Sequence, residues 1–273
     1  MSKKTGVTGP VHYYAKVLSL SREGMRFLEE KGFIHPAKDA ANGYRSYGFG
    51  DSVTIVNYKK LRAFGFSVEQ VYDFLTAENS QAQRTRLEAQ AETLEEEIRR
   101  REKVLVSLRR RMQRLDEAQE IGSRYVIRRR PALFWMESRR DAVTKDNSLA
   151  VDTMAKWNRN LSAYAESCVV WTLEKLLDGE GHIYAGQVID ADLAAGEDLG
   201  DVRYSSAVPC LTAVREFPYD DRMQETLFLD MLAYMKAQSL VPAGDGIARL
   251  LRMTIDGQRR YHFTWELMIP VSE

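Results

Sequence analysis

The strongest constraint on the fold is a long segment without helix-breaking residues. Between residues 79 and 121 the chain has no proline and no glycine, and the next glycine is Gly122. Apolar residues recur there in alternating steps of four and three, the heptad spacing of a coiled coil, with one polar break at Arg101. This apolar seam consists of Leu87, Ala91, Leu94, Ile98, Leu105, Leu108, Met112 and Leu115.

A helix over this segment, placed at residues 78–122, cannot bury its own seam. About 40 residues with a rise of 1.5 Å each extend roughly 60 Å, and an unbroken helix cannot fold back on itself. The sequence therefore predicts a dimerisation helix that forms a coiled coil with a second copy of the chain. The alternative is a long helix that packs against the C-terminal domain of its own chain.

Length and charge divide the rest of the 273 residues into two domains around this helix. Residues 1–62 hold 11 Lys and Arg against 5 Asp and Glu, a net charge of +6, whereas residues 123–273 hold 18 against 22, a net charge of −4. A basic N-terminal domain before a mildly acidic body indicates a polyanionic partner at one end of the protein.

The sequence contains no motif for export, membrane insertion or catalysis. Residues 1–10 lack the apolar stretch of a signal peptide, and no run approaches the roughly 18 apolar residues of a membrane span. The two cysteines, Cys168 and Cys210, and the four scattered histidines lack metal-ligand spacing. We therefore expect a cytoplasmic protein in a reducing compartment, with no metal, no cofactor and no enzymatic activity.

The first segment, residues 1–77, has the spacing of a helix-turn-helix. Tyr14, Val17 and Leu18 are helically spaced, the residues 19–21 (SLS) interrupt the pattern, and Ser21 can cap the next helix. In this motif the second helix lies in the major groove of DNA. The spacing indicates double-stranded DNA as the partner, which agrees with the basic charge of this segment.

A turn-rich stretch, NGYRSYG at residues 42–48, follows that helix. Asn-Gly is a strong hairpin signal because both residues tolerate positive φ. A hairpin here would form a wing beside the helix-turn-helix, and Tyr44, Arg45 and Tyr47 would contact the phosphate backbone. In the alternative, Tyr44 and Tyr47 pack the hairpin onto the helices.

Residues 123–273 alternate between strand-like and helix-like patterns. A strand broken by proline at 125–136, a helix at 149–165 and a hairpin at 168–190 are followed by a strand at 210–217, a helix at 222–238 and a hairpin at 249–269. The order strand, helix, hairpin thus occurs twice. The predicted fold is an α N-terminal winged helix-turn-helix, a long dimerisation coiled-coil helix, and an α+β domain of two strand-helix-hairpin halves at 123–273.

The motifs AKVLSLS, REGMRFLEEKGFIHP, NGYRSY and LRAFGFSVEQV, in this order within residues 11–77, resemble the winged DNA-binding domain of the MerR family of transcription regulators. The heptad helix sits where that family has its antiparallel dimerisation helix. The resemblance implies a homodimer that binds two-fold promoter DNA and activates transcription by RNA polymerase through distortion of the DNA. The residues that would contact DNA are Ser21, Arg22, Glu23, Arg26, Tyr44, Arg45, Tyr47, Lys59, Lys60 and Arg62.

Two positions depart from the usual pattern of that family. Gly24 lies inside the second helix, where a glycine costs about 1 kcal/mol of helix stability. Glu23 takes a place that is commonly basic, and its carboxylate can accept a hydrogen bond from a cytosine amino group but repels phosphate. These departures concern the sequence of the operator rather than the mode of binding.

The C-terminal segment resembles the GyrI-like effector-binding domain of multidrug-sensing regulators, through CLTAVREFPYDD at residues 210–221 and WELMIPV at residues 265–271. In that domain an acidic residue on the last strand faces an aromatic pocket and binds cationic or lipophilic ligands. Glu266 matches that acid, which implies a small organic effector held by charge and cation–π attraction. The candidate pocket walls are Trp135, Trp171, Tyr184, Tyr204, Phe217 and Tyr219.

Two other interpretations of the C-terminal segment stay open. It could be a scaffold or a protein-interaction module without a ligand, while the N-terminal domain still binds DNA. It could also be a small-molecule hydrolase, since some GyrI-like domains hydrolyse small substrates with the equivalent acid. A ligand that raises the thermal stability of the protein would separate sensing from scaffolding, and turnover of that ligand would identify an enzyme.

Overall fold

The computed structural model describes residues 9–10, 16, 18–38, 43–137, 148–220 and 223–272. The chain divides into two compact units, Met1–Arg99 and Arg100–Glu273. This division falls inside the long helix, so the helix contributes residues to both units. Within the described residues, no helix combines the length and the apolar character that crossing a membrane requires.

The first unit contains helices and a small antiparallel sheet. The helices are α1 (Arg22–Glu30), α2 (Phe49–Ala63) and α3 (Val68–Leu75). The strands β1 (Gly9–Pro10), β2 (Ala37–Lys38) and β3 (Arg45–Tyr47) pair in the order β1-β3-β2. Their common core is apolar, with Met25, Leu28, Ile55 and Val71 almost fully buried.

The helix predicted before the SLS turn lies mostly outside the described residues, and so does Asn42 of the predicted hairpin turn. The SLS turn itself is described. Ser19 has a φ of 50°, and its backbone N–H donates to the Lys16 carbonyl at 3.2 Å. Gly43 has a φ of 73°, the left-handed conformation that an Asn-Gly turn needs at this position.

Side-chain caps and a left-handed glycine determine where the helices of the first unit begin and end. The Ser21 hydroxyl accepts a hydrogen bond from the Gly24 N–H at 2.9 Å, as its position before α1 predicts. Ser67 and Gln70 form a capping box at the start of α3. After α1 the chain turns at Gly32, which has a φ of 76°.

The long helix α4 (Ser80–Ile121) runs through 42 residues without a break. The Asn79 carboxamide caps its start by accepting from the Ala82 N–H at 2.9 Å, and Gly122, with a φ of 55°, follows its end. The long helix predicted from the absence of proline and glycine is therefore confirmed.

The second unit is built on an eight-stranded antiparallel sheet with the order β4-β9-β11-β10-β6-β7-β5-β8. The strands are β4 (Val126–Arg130), β5 (Leu133–Glu137), β6 (Glu166–Trp171), β7 (Ile183–Asp190), β8 (Arg203–Ser205), β9 (Val208–Pro218), β10 (Gly246–Ile255) and β11 (Tyr261–Pro270). The helices are α5 (Ser148–Lys156), α6 (Leu173–Asp178), α7 (Met223–Thr226) and α8 (Leu229–Ala237), and α5 continues into a π-helical turn, Trp157–Leu161.

Strand pairing follows the same order on both sides of this sheet. One side consists of β5, α5 and the hairpin β6–β7, and the other of β9, α7, α8 and the hairpin β10–β11; in each, the first strand pairs with the last. The two sides meet where β10 pairs with β6. In the hairpin predicted at 168–190, the first strand ends at Trp171, because Thr172 caps helix α6.

The segment predicted as one interrupted strand at residues 125–136 forms two strands that do not pair with each other. β4 pairs with β9 at one edge of the sheet, while β5 pairs with β7 and β8 near the other edge. Pro131 and Ala132 alone connect them, and the three Cα–Cα steps from Arg130 to Leu133 span at most about 11 Å. The sheet must therefore curl until its two ends come close together at this connection.

Strand β11 carries core residues on both of its faces. Trp265, Leu267 and Ile269 pack with the apolar residues of α8 on one face. Met268 packs with Trp135 in a separate apolar cluster on the other face, the face that also carries Glu266. Glu266 therefore lies inside the second unit and not on a solvated strand surface.

Candidate functional site

Helix α1 presents a polar face at the surface of the first unit. Met25 and Leu28 turn inward, while Arg22, Glu23 and Arg26 are exposed. Residues four apart share a helix face, so the two arginines lie one turn apart on the surface. A helix that packs with one side and offers charged side chains on the other is what reading of a DNA groove requires.

The three residues near the β2–β3 turn that were predicted to contact the phosphate backbone have different environments. Tyr44 is 75% exposed. Arg45 pairs with Glu29 of α1 at 2.7 Å, which ties the hairpin to the helix. Tyr47 is fully buried, and its burial raises the pKa of its hydroxyl. The structure thus corrects the prediction for Tyr47, whose ring packs the hairpin onto the helices.

The basic residues near the end of α2 are exposed but also stabilise the first unit. The Lys59 ammonium group donates to the Leu18 carbonyl at 2.8 Å, which braces the SLS turn. The Arg62 guanidinium donates to the Phe66 carbonyl, just beyond the helix. Together with Lys60, these side chains keep their positive charges at the surface, where they strengthen the attraction for a polyanion.

Gly24 of α1 is expected to tolerate alanine. A Cβ there would lie 3.5 Å from the Leu20 side chain and from the Ser21 hydroxyl, which is ordinary contact. Gly24→Ala should therefore stabilise the first unit by about 1 kcal/mol, measured by hydrogen exchange of the α1 amides. Gly32→Ala is the control and should destabilise it, because Gly32 has a φ of 76°. Faster exchange in Gly24→Ala would contradict this account of α1.

The heptad seam of α4 is exposed along its length. All eight seam residues lie at the surface, and Ile98, Leu108 and Met112 each keep more than half of their surface in contact with water. Exposed apolar side chains aligned along one face of a helix, here interrupted only at Arg101, are typical of an interaction surface. The seam thus has the exposure that a coiled-coil partner needs, although the structure describes one chain alone.

The opposite side of the same helix packs within the second unit. Lys103 pairs with Glu197 at 2.7 Å, and the Ser107 hydroxyl donates to the Ala163 carbonyl at 2.8 Å. Val104 packs against a nearby apolar cluster of this unit. A helix packed on its own domain, the alternative prediction, therefore holds for this side, while the apolar seam remains uncovered.

A cavity of about 580 Å³ lies in the second unit, within the range of roughly 300–1,000 Å³ typical of small-molecule sites. Its walls come from β4, the connection from β4 to β5, the end of β7, strands β10 and β11, and the C-terminal part of α4. Six arginines line it, namely Arg110, Arg114, Arg128, Arg129, Arg130 and Arg249. Four carboxylates line it as well, namely Glu117, Asp190, Asp192 and Glu266.

Glu266 lines this cavity but is already neutralised. It is only 3% exposed, and its carboxylate forms an ion pair with the guanidinium of Arg128. Arg128 also pairs with Glu117 of α4. The resemblance implied a carboxylate that waits for a cationic effector, and the structure corrects this detail, because the cation beside Glu266 belongs to the chain itself.

A second group of charges is buried at the far wall of the cavity. The Asp190 carboxylate accepts from Arg249 at 2.8 Å and from Arg110 at 3.0 Å, with Arg114 at 3.6 Å. Burial by itself would raise the pKa of Asp190, but the charges of Arg249 and Arg114 outweigh it and hold that pKa below its usual value. Glu166 accepts from Arg114 at 2.7 Å and completes the group.

Arg129 and Arg130 differ from the other arginines of the cavity because neither has a carboxylate within ion-pair distance among the described residues. Arg129 donates to the Ala207 carbonyl at 3.1 Å and Arg130 to the Ser206 carbonyl at 3.2 Å. Arg130 is 4% exposed, and its Nε and Nη1 atoms have no hydrogen-bond partner. Its burial lowers the pKa of its guanidinium.

The aromatic residues predicted to wall the effector pocket do not line this cavity; they are Trp135, Trp171, Tyr184, Tyr204, Phe217 and Tyr219. Trp171 and Phe217 pack in the apolar core of the second unit. Tyr204 and Tyr219 are exposed. The structure therefore does not bring the six together around Glu266.

Trp135 and Tyr184 form the one aromatic pair among these six that holds a cation. Their ring centroids are 5.8 Å apart. The guanidinium of Arg203, on the edge strand β8, lies 5.0 Å from the ring centre of Trp135 and 4.8 Å from that of Tyr184. The cation–π site that the sequence suggested is thus occupied by a side chain of the same unit.

Cys168 and Cys210 are buried free thiols. Burial raises the pKa of Cys168 to about 12, and it also raises the pKa of Cys210. Across the part of the chain that the structure describes, no three His, Cys, Asp or Glu side chains are grouped so that they could hold a metal ion.

A capped helix after a three-residue turn, a hairpin tied to that helix and a long helix after it are the arrangement of a helix-turn-helix protein. The sequence model of the family described as "MerR HTH family regulatory protein" matches residues 12–78. The HTH-type transcriptional regulator CueR of Escherichia coli O157:H7 is 31% identical over 106 residues, which are 38% of this chain and 78% of CueR. The chain belongs to the MerR family.

Other relatives match a smaller part. The HTH-type transcriptional regulator HmrR of Sinorhizobium medicae is 39% identical over 61 residues, 22% of this chain and 42% of its own length, so the chain spans less than half of that relative. Among solved structures, an EcmrR–DNA complex aligns with 97% of this chain and 100% of EcmrR, at 14% identity and a TM-score of 0.38. That likeness is too low to assign a partner or a ligand.

Proposed function

We propose that this chain is a transcription regulator that binds two-fold promoter DNA as a homodimer and responds to a small organic effector. The observation that carries the proposal is the exposed polar face of α1, with Arg22 and Arg26 on a capped helix whose other side is core. RNA polymerase at the promoter is the further partner, and the cytoplasm is where such a regulator acts. The proposal includes no catalytic role.

The DNA interface of the first unit combines α1 with the β2–β3 hairpin as a wing. The ion pair between Arg45 and Glu29 holds the wing against α1. Tyr44 beside it is exposed, so that its hydroxyl can contact the phosphate backbone of bound DNA. Lys59, Lys60 and Arg62 add positive charge near the end of α2. The net charge of +6 over residues 1–62 supplies the long-range attraction.

A homodimer supplies the two-fold symmetry that such a site needs. Two copies of α4 would cover each other's seam as an antiparallel coiled coil, because each seam is apolar, exposed and otherwise uncovered. A dimer with a two-fold axis presents two copies of α1 to two half-sites of the DNA. Dimerisation would thus both cover the seam and double the number of DNA contacts.

The effector site is the cavity of the second unit, between two halves that repeat the order strand, helix, hairpin. Arg110, Arg114 and Glu117 of α4 line the cavity, and the same helix carries Leu108 and Met112 of the seam. A molecule that enters the cavity therefore contacts the dimerisation helix directly. Since it binds the folded protein, its differential contacts with α4 can shift the equilibrium between conformations of the dimer.

The experiment begins with selection of a preferred duplex from a random DNA pool by the full-length protein. The selected site should show two-fold symmetry. The affinity of the protein for it should fall about 10³-fold between 50 and 200 mM salt if six phosphate contacts form, because lysine and arginine displace counterions from the DNA. Arg26→Ala and Tyr44→Ala should each weaken binding by roughly tenfold, whereas Glu23→Gln should change which base is preferred.

Arg84→Ala serves as the matched control, because Arg84 is an exposed arginine of α4 that pairs with Glu88. Its affinity for the selected duplex should equal that of the unaltered protein. A selected pool without two-fold symmetry, or an affinity that does not depend on salt, would rule out the proposed interface.

A further inference from the structure

We propose that the cavity of the second unit binds an organic oxyanion, a small molecule with a carboxylate or phosphate group, through Arg130 and Arg129. This inference rests on the proposed function, in which the same cavity is the effector site. It differs from the cationic effector implied by the sequence resemblance, and it follows from the balance of charges around the cavity.

The lining of the cavity carries an excess of positive charge. Six arginines face four carboxylates, and the four carboxylates are all paired with arginines other than Arg129 and Arg130. Just outside the lining, Glu166 pairs with Arg111 at 3.2 Å and with Arg114 of the lining at 2.7 Å, so one further arginine is matched by one further carboxylate. Two guanidinium groups therefore remain for a ligand.

Arg130 is the stronger anchor of the two. Its side chain is almost entirely removed from water, yet its Nε and Nη1 atoms donate to no acceptor among the described residues. No carboxylate of the described residues forms an ion pair with Arg130, although the more distant charge of Asp245 acts on it. A buried charge without an ion-pair partner is unfavourable, and so is a buried donor without an acceptor. A carboxylate or phosphate group corrects both defects at once, since it accepts two parallel hydrogen bonds from one guanidinium.

The neighbourhood of Arg130 also holds it in place for this role. Its Nη2 atom donates to the Ser206 carbonyl at 3.2 Å, which orients the guanidinium plane. Arg129, one residue earlier and donating to Ala207 at 3.1 Å, adds a second, more exposed charge. Pro131 and Ala132 follow directly and line the same cavity, so the organic part of the ligand has apolar surface beside the anion site.

The groups of this unit that could bind a cationic ligand already hold arginine side chains, which disfavours a cationic effector. Arg128 neutralises Glu266, and Arg203 lies over the rings of Trp135 and Tyr184. A cationic ligand would have to displace one of these guanidinium groups and add charge to a cavity that is positive already. An oxyanion needs to displace nothing.

The test is calorimetric titration of the full-length protein with inorganic phosphate, citrate and the lipophilic cation tetraphenylphosphonium, at constant ionic strength. Citrate or phosphate should bind the unaltered protein. Arg130→Met, which keeps the apolar stem of the side chain and removes its charge and its donors, should weaken that binding at least tenfold. Its melting temperature should be equal or higher, because the uncompensated charge is gone.

Arg252→Met is the matched control, since Arg252 lies on β10 outside the cavity and pairs with Glu216 at 3.1 Å. It should bind the oxyanions as the unaltered protein does, which separates site binding from the general stabilisation of proteins by phosphate. If Arg130→Met does not fold, Arg129→Gln is the second variant, expected to weaken binding severalfold.

Two results would overturn the inference. One is the absence of oxyanion binding to the unaltered protein up to tens of millimolar. The other is equal binding by the unaltered protein and by the cavity variants, or preferential binding of tetraphenylphosphonium. Neither result involves DNA, so selection of a two-fold duplex by the same protein tests the proposed regulator independently of its ligand.

Discussion

The double variant Leu94→Lys, Leu108→Lys is expected to be a monomer at micromolar concentration and to lose its two-fold DNA site. Both leucines belong to the exposed seam of α4. In a coiled-coil dimer both copies lose them, so four leucines leave the interface, each worth about 1.5–3 kcal/mol when buried. A loss of roughly 6 kcal/mol or more weakens association by over four orders of magnitude. Sedimentation and DNA binding measure the two effects.

Thr85→Lys, Val106→Lys is the matched control for that variant. It adds the same charge, one lysine in each half of α4, at two exposed positions that share one heptad position outside the seam. It should remain a dimer and bind the selected duplex. A seam variant that sediments as a dimer, or an unaltered protein that sediments as a monomer, would refute the coiled coil.

Asp190→Asn is expected to destabilise the second unit by about 3–5 kcal/mol, because it leaves buried guanidinium groups without their carboxylate. Arg249 is 2% exposed and would keep only Glu166, whose oxygen lies 3.4 Å from its Nε atom. Urea unfolding of the full chain, followed by tryptophan fluorescence, isolates this effect, since all four tryptophans lie in the second unit.

Two comparisons sharpen this result. Asp198→Asn removes an exposed partner of Lys156, and the stability should change far less than in Asp190→Asn, because solvent screens an exposed ion pair. The double variant Asp190→Leu, Arg249→Met should recover much of the stability, because neither buried charge is left alone. A cost for Asp190→Asn no larger than that for Asp198→Asn would mean that Asp190 does not stabilise this wall.

The carboxylate of Asp190 also makes the stability of the second unit depend on pH. The pKa of Asp190 in the folded protein is below its unfolded value, which is about 3.9. A group whose pKa is lowered by folding stabilises the protein above the unfolded pKa, and this contribution is lost as the pH falls towards the folded pKa. The difference in stability between the unaltered protein and Asp190→Asn should therefore shrink below about pH 4.

The elements that depend on local pattern could be predicted from the sequence. The absence of proline and glycine predicted the length of α4, the steps of four and three predicted its seam, and Ser21 marked the start of α1. The hairpins expected at 168–190 and 249–269 correspond to the antiparallel pairs β6–β7 and β10–β11. In each case the cause lies within a few residues of its effect, because helix periodicity, capping and turn conformation are local.

The environment of individual side chains could not be predicted in this way. In NGYRSYG, Tyr44 and Tyr47 have the same residue type and the same turn beside them, yet one is exposed and the other is core. Alternation along β3 does not say which face meets the helices until α1 and α2 are packed against it. The same pattern therefore predicted a phosphate contact for both tyrosines, although packing leaves only Tyr44 at the surface.

The partners of the side chains around the proposed effector site were even less predictable from the sequence. The sequence by itself determined the length of α4 and its apolar seam, and the resemblance pointed to Glu266 on the last strand. Only the tertiary structure decided that Arg128 neutralises Glu266, that Arg203 occupies the aromatic pair, and that Arg130 is left without a counter-charge. These partners come from strands far apart in the chain, which the curled sheet brings together, and the charge of a cavity is a sum over all of them.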